Sequence, residues 1–131
     1  MTTFQSKGTI NKPVSDVYLF LSDMNNHQQL MPDGVTNWQS TANDASFTVQ
    51  NMLKLSLKMG ECAENREIKI IPSEKPPFDL ELKWALSSNN DQTNVVFTIA
   101  ADLNMMMKMM ASGPLQKLAD HEVQTLSKIL S

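Results

Sequence analysis

Glycine and cysteine are both scarce here: four glycines and one cysteine among 131 residues. So little glycine excludes a collagen-like repeat, and a lone Cys62 cannot form an internal disulfide, so this is no disulfide scaffold. A reducing compartment suits such a chain. No stretch approaches the roughly 18 consecutive apolar residues of a spanning helix, so no integral membrane segment is expected. The opening Met1-Thr2-Thr3-Phe4-Gln5-Ser6-Lys7 lacks the apolar run of a signal peptide, and the expected location is the cytoplasm. Basic residues never form a block of five. Eleven lysines and arginines against fourteen acidic residues leave a net charge of -3, so a nucleic acid backbone finds no electrostatic footprint. At 19% charged and 41% hydrophobic, the chain is too apolar for a charge-rich disordered tail. Its length predicts one domain, residues 1–131, large enough to bury a core and to leave room for a cavity. Methionine is in excess, with ten residues.

Two periodicities divide the chain. From Thr3 to Ile10, Phe4, Ser6, Gly8 and Ile10 share one parity, which predicts a half-buried strand. The small Ser6 and Gly8 on its inward side would let another element approach closely, or leave space. Pro13 suits the first turn of a helix, and Val14, Val17, Tyr18 and Leu21 fall at i, i+3, i+4 and i+7 on one face. A second short helical patch is predicted from His27 to Leu30, before Met31-Pro32-Asp33-Gly34 forces a turn. From Val35 to Asn104 the period is two. Ala45, Phe47 and Val49 alternate with polar neighbours, as do Leu53, Leu55, Leu57 and Met59, then Ile68 and Ile70. Pro72 to Pro77 reads as a loop. Phe78, Leu80, Leu82, Trp84 and Leu86 follow on one parity, then Val95, Phe97, Ile99, Ala101 and Leu103 after a turn at Asn89-Asn90-Asp91. One wet face and one buried face mark an antiparallel sheet, and the short turns suggest a meander. At the C-terminus the period changes again. Gly113-Pro114 is read as opening a helix, with Ser112 or Gly113 as its cap. At about 100° per residue, Leu118, Ala119, Val123, Leu126, Ile129 and Leu130 lie within about 80° of Leu115, a broad apolar stripe for the sheet's apolar face.

The order strand, helix pair, meander, long helix resembles the START and polyketide cyclase superfamily (SRPBCC), to which the birch pollen allergen belongs. The segment Ile10 to Asp23 resembles the usual opening of that superfamily: a strand, a proline, a valine four residues on, an aromatic or bulky residue, a leucine and an aspartate ending the helix. Leu30-Met31-Pro32-Asp33-Gly34-Val35 resembles its MPG-V turn, with Asp33 inserted. Where the family often carries a tryptophan ahead of this turn, Gln28-Gln29 stand here. The resemblance implies an α+β helix-grip fold, in which a curved antiparallel sheet in the order β-α-α-β meander-α wraps around a long C-terminal helix. Members typically hold lipids, sterols, polyketides or other apolar molecules in the gap between sheet and helix. Some catalyse cyclisation or dehydration, and others bind proteins.

On this reading the ligand-binding wall would be Phe47, Leu57, Met59, Ile70, Leu82, Trp84, Phe97, Ile99 and Leu118, with Glu122 as its polar member. Glu122 falls at about 340° on the helix, inside the apolar stripe. A carboxylate so placed must find a partner, stay protonated or reach water. It suits acid–base work or the anchoring of a ligand hydroxyl; a wet rim or a sheet cation would equally satisfy it. His27 and His121 both read as solvated, with no ligand spacing around either, so no metal site and no cofactor are expected. Cys62 has no activating neighbour in sequence and reads as inert. The facing of Trp38 is open; if exposed, it would mark a contact surface. The run Met105 to Met110 holds five methionines. It could bind Cu(I) through thioethers, offer an adaptable apolar surface to a partner, or simply join the last strand to the helix at the pocket mouth. The expected function is binding of an apolar or lipid-like small molecule. A cyclase or dehydratase using Glu122 ranks below it, because the inward parities offer almost no second polar group. A protein-interaction module, docking through Trp38 or the methionines, is the third reading.

Overall fold

The computed structural model describes residues 1–49, 51, 53–75 and 78–130. A nine-residue strand, β1 (Thr2–Ile10), leads to α1 (Val14–Leu21), the short α2 (Met24–His27) and a 3-10 turn (Gln28–Leu30). Six strands follow: β2 (Val35–Ser40), β3 (Asp44–Val49), β4 (Leu53–Ala63), β5 (Glu67–Pro72), β6 (Leu80–Asn89) and β7 (Gln92–Ala101). The chain closes on α3 (Met105–Ile129). All seven strands form one antiparallel sheet in the order β1-β7-β6-β5-β4-β3-β2, curled around α3, the α+β helix-grip arrangement.

Alternation sets the facing of each strand. In β7, Thr93, Val95, Phe97, Ile99 and Ala101 are buried while the residues between them are not. Bulges interrupt the ladders between Thr36 and Gln39 and between Met59 and Cys62, and bulged strands bend and twist more sharply than regular ones. The scarcity of glycine shows at the turns and at the β2 bulge. Every described residue with a left-handed backbone is an asparagine: Asn37, Asn51, Asn65 and Asn90, with φ from 56° to 60°. Asparagine tolerates that region because its short amide can bond locally to the backbone.

Glycine is required where α3 crosses β1. A Cβ on Gly8 would sit 2.6 Å from Cγ1 of Val123, so the helix packs directly onto the backbone of the strand. Gln116 reinforces the contact, its side-chain amide donating to the backbone oxygen of Gln5 at 2.9 Å.

Several expectations are corrected here. Helix α3 starts at Met105, eight residues before Gly113, and Pro114 lies inside it. Asn104 caps it, its Oδ1 accepting from Met107 N at 2.9 Å, and the methionine, lysine and alanine that follow are good helix formers. The methionine run is therefore the first two turns of the helix and not a joint. Phe78 precedes its strand: β7 ends at Ala101, opposite Leu80, and leaves Phe78 nothing to pair with. Leu103 is buried but lies beyond β7 for the same reason. Pro72 ends β5, and Pro76 and Pro77 of the expected loop lie outside the described residues.

Candidate functional site

Between the concave face of the sheet and α3 lies an inner chamber of about 40 Å³. Since roughly 10–15 Å³ of such volume holds one water, the chamber takes a small chemical group but not a whole lipid. Strands supply Trp38, Phe47, Leu55, Leu57, Ile70, Leu80, Leu82, Phe97 and Ile99; α3 supplies Leu115, Leu118 and Glu122; and the α2 corner supplies Met24, His27 and Met31. A larger groove of about 360 Å³ adjoins it, lined by Pro32, Gly34, Val35, Val49, Phe78, Gly113, Pro114, Lys117 and His121. Leu55, Leu80, Leu115 and Leu118 belong to both walls, so the two spaces lie side by side.

Helical phase aims Glu122 inward. Ala119, Glu122, Val123 and Leu126 are the buried residues of α3 and stand at i, i+3, i+4 and i+7. Glu122 is 3% exposed, and no hydrogen bond or ion pair reaches it among the described residues. Burial pushes its carboxyl up to about 8, because the charged form would lose its hydration with nothing in return. The group is therefore protonated at neutral pH.

His27 is the second polar residue of the chamber. It is 2% exposed, and its Nε2 lies 2.8 Å from the carbonyl oxygen of Leu21. A carbonyl only accepts, so Nε2 carries the proton. Burial lowers the imidazole below its ordinary range, keeping the ring neutral and leaving Nδ1 as an acceptor. The corner that holds His27 is tied down from two sides. Asp23 caps α2 by accepting from Asn25 N at 3.0 Å, and Met24 N donates to the carbonyl of Ala42 at 2.9 Å. Trp38 belongs to the same lattice. Its ring stacks on Phe47 at 5.0 Å, its Nε1 donates to Ser40 Oγ, and Ser40 donates to Asn25 Oδ1.

Of the residues expected at the wall, Phe47, Leu57, Ile70, Leu82, Phe97, Ile99, Leu118 and Glu122 come together around the chamber. Trp84 does not join them. It is fully buried in the core, stacked on Phe97 at 4.3 Å, with its indole N–H unpartnered. Met59 is half-buried just before the β4–β5 bulge and lines neither space. His27 corrects the expectation of a solvated histidine: its polar sequence neighbours point outward while Met24 and His27, at i and i+3 of α2, turn inward, and Met31 joins them from beyond the 3-10 turn. Trp38 is likewise no exposed surface, since Phe47 and Ser40 hold it half-buried against the wall. Leu55, Leu80 and Leu115 also line the chamber, and each shares the parity or helical stripe of an expected wall residue. His121 is exposed at the groove, and Cys62 is exposed. Among the described residues no three His, Cys, Asp or Glu side chains cluster as metal ligands, and no helix is long and apolar enough to cross a membrane.

No protein-family model matches the chain, and no curated protein sequence does either. Solved structures share its fold. The KanY protein superposes with a TM-score of 0.82 at 12% identity, covering 98% of this chain and 97% of its own. The Aha1 dimer from Colwellia psychrerythraea gives 0.72 at 15% identity, covering 99% and 96%. A START superfamily protein from Mycobacterium smegmatis gives 0.70 at 14%, covering 98% and 96%. The likeness is one of fold: an antiparallel sheet curled around a long C-terminal helix.

Proposed function

We propose that this protein binds an apolar, lipid-like small molecule between sheet and helix, one end in the inner chamber and the body in the groove. The observation that carries the reading is a deep apolar chamber holding an unpartnered Glu122, beside a groove of about 360 Å³ that shares four of its lining residues. That groove lies in the usual range of roughly 300–1,000 Å³ for small-molecule sites, which pair apolar walls with a few placed polar groups. A buried carboxyl without a partner destabilises a fold, and a ligand-binding site is a reason to keep one. The START-like fold lends the reading support.

The test is native mass spectrometry of the purified protein, with a thermal-shift screen of lipids and polyketides. A retained apolar molecule, or a ligand that raises Tm by several degrees, is expected. A ligand-free protein that no member of the panel stabilises would sink the proposal.

Catalysis of the cyclase or dehydratase kind is the second reading, and His27 favours it. Such chemistry needs a second polar group beside Glu122, and the α2 corner provides one where the strands do not. Loss of turnover in Glu122→Gln, with ligand affinity kept, would separate catalysis from binding. The protein-interaction reading rests on Met105, Met106, Met109 and Met110 alone, which are 65% to 83% exposed.

A further inference from the structure

We propose, resting on cavity binding as read above, that the inner chamber recognises a hydroxyl group, and so selects an apolar alcohol over the matching carboxylate or hydrocarbon. The chamber wall is apolar except at two side chains, Glu122 from α3 and His27 from α2. The indole N–H of Trp38, the remaining polar atom on a lining side chain, is already given to Ser40.

The two groups are complementary. His27 donates through Nε2 to Leu21, so the ring keeps an acceptor at Nδ1. Glu122 has no ion-pair partner among the described residues, and a protonated carboxyl donates through its O–H. A hydroxyl both accepts and donates, and so matches the donor of a carboxylic acid and the acceptor of an imidazole nitrogen. A carboxylate at the same place meets a second carboxyl and no cation. Lys117 and His121, the other titratable residues nearby, line the outer groove instead. A hydrocarbon leaves both polar groups unpaired. Size agrees with this orientation: about 40 Å³ admits a terminal hydroxyl, and the apolar body is left to the groove.

Four probes sharing a ten-carbon chain decide the matter: decanol, decyl methyl ether, decanoate and decane, at pH 6.5. Trp38 reports occupancy by fluorescence, since its ring lines the chamber, while Trp84 is buried in the core as a constant background. Decanol should bind roughly tenfold tighter than decane or decanoate, because an unmet buried donor or acceptor costs about that much. The ether accepts but cannot donate, and should fall between decanol and decane. Glu122→Leu should hold decane at least as well as the native protein and lose the preference for decanol. Decane or decanoate binding as tightly as decanol overturns the hydroxyl assignment and leaves cavity binding standing. Binding of none of the four overturns both.

Discussion

Glu122 makes the stability of the fold depend on pH in a direction opposite to that of most carboxylates. Its folded value of about 8 stands above the ordinary 4.5, so between those values the folded chain holds a proton that the unfolded chain has released. Stability is then full below pH 4.5 and falls as pH rises towards 8. His27 works the other way. Its folded value lies below 6.5, so its contribution falls as pH drops under 6.5. The window from pH 6.5 to 8 therefore isolates Glu122. Urea denaturation across it should show a loss on the order of 2 kcal/mol, given about 1.4 kcal/mol per pH unit for one proton. Glu122→Gln should flatten that slope; an unchanged slope would mean the carboxyl is not buried as described. The placement of Glu122 was legible in the sequence, because helical phase alone aims it inward. That of His27 was not: a four-residue helix is too short for its phase to stand out from polar neighbours.

At the scale of elements, the crossing of α3 over β1 decides how close helix and sheet can come. Gly8→Ala would drive its new methyl into Val123, a stiff β-branched side chain with little room to yield. Overpacking of this kind costs roughly 1–3 kcal/mol. Val123→Ala made in the Gly8→Ala background should recover part of that loss, and a double-mutant cycle on Tm would read the coupling. Simple additivity would contradict the contact. The small residue facing an approaching element was visible in the alternation of β1. The start of α3 was not, since Gly113-Pro114 carries a strong local signal for a helix beginning. Asn104 and the methionine run had already begun the helix, and an interior proline costs one hydrogen bond, here to the carbonyl of Met110. That weak point sits where Gly113 and Pro114 line the groove.

Across the whole molecule, the sheet joins distant parts of the chain. β1 pairs along its full length with β7, and α3 packs on β1, so the first and last elements stabilise each other. Neither can leave without exposing the core that the other covers. Far-UV circular dichroism and tryptophan fluorescence should therefore report a single coincident unfolding transition in urea. Separated curves would show α3 or the helix pair melting alone. This architecture was readable because period-two parity runs almost unbroken from β3 to β7 and changes cleanly to helical phase at the end. The chamber's α2 corner was not, because tertiary bonds such as Met24 to Ala42, rather than any local pattern, put it there.

The methionines at the start of α3 bear on how the protein meets peroxide. Thioethers become sulfoxides where oxidant reaches them, and within α3 Met105, Met106, Met109 and Met110 are reached first. None of the four is part of the buried core, whereas Met24, 2% exposed, stands in the chamber wall. Oxidative damage would accumulate on the outer side of the helical tip, away from Met107, which packs against the core, and the sulfur of Met24 beside the chamber would be spared until later.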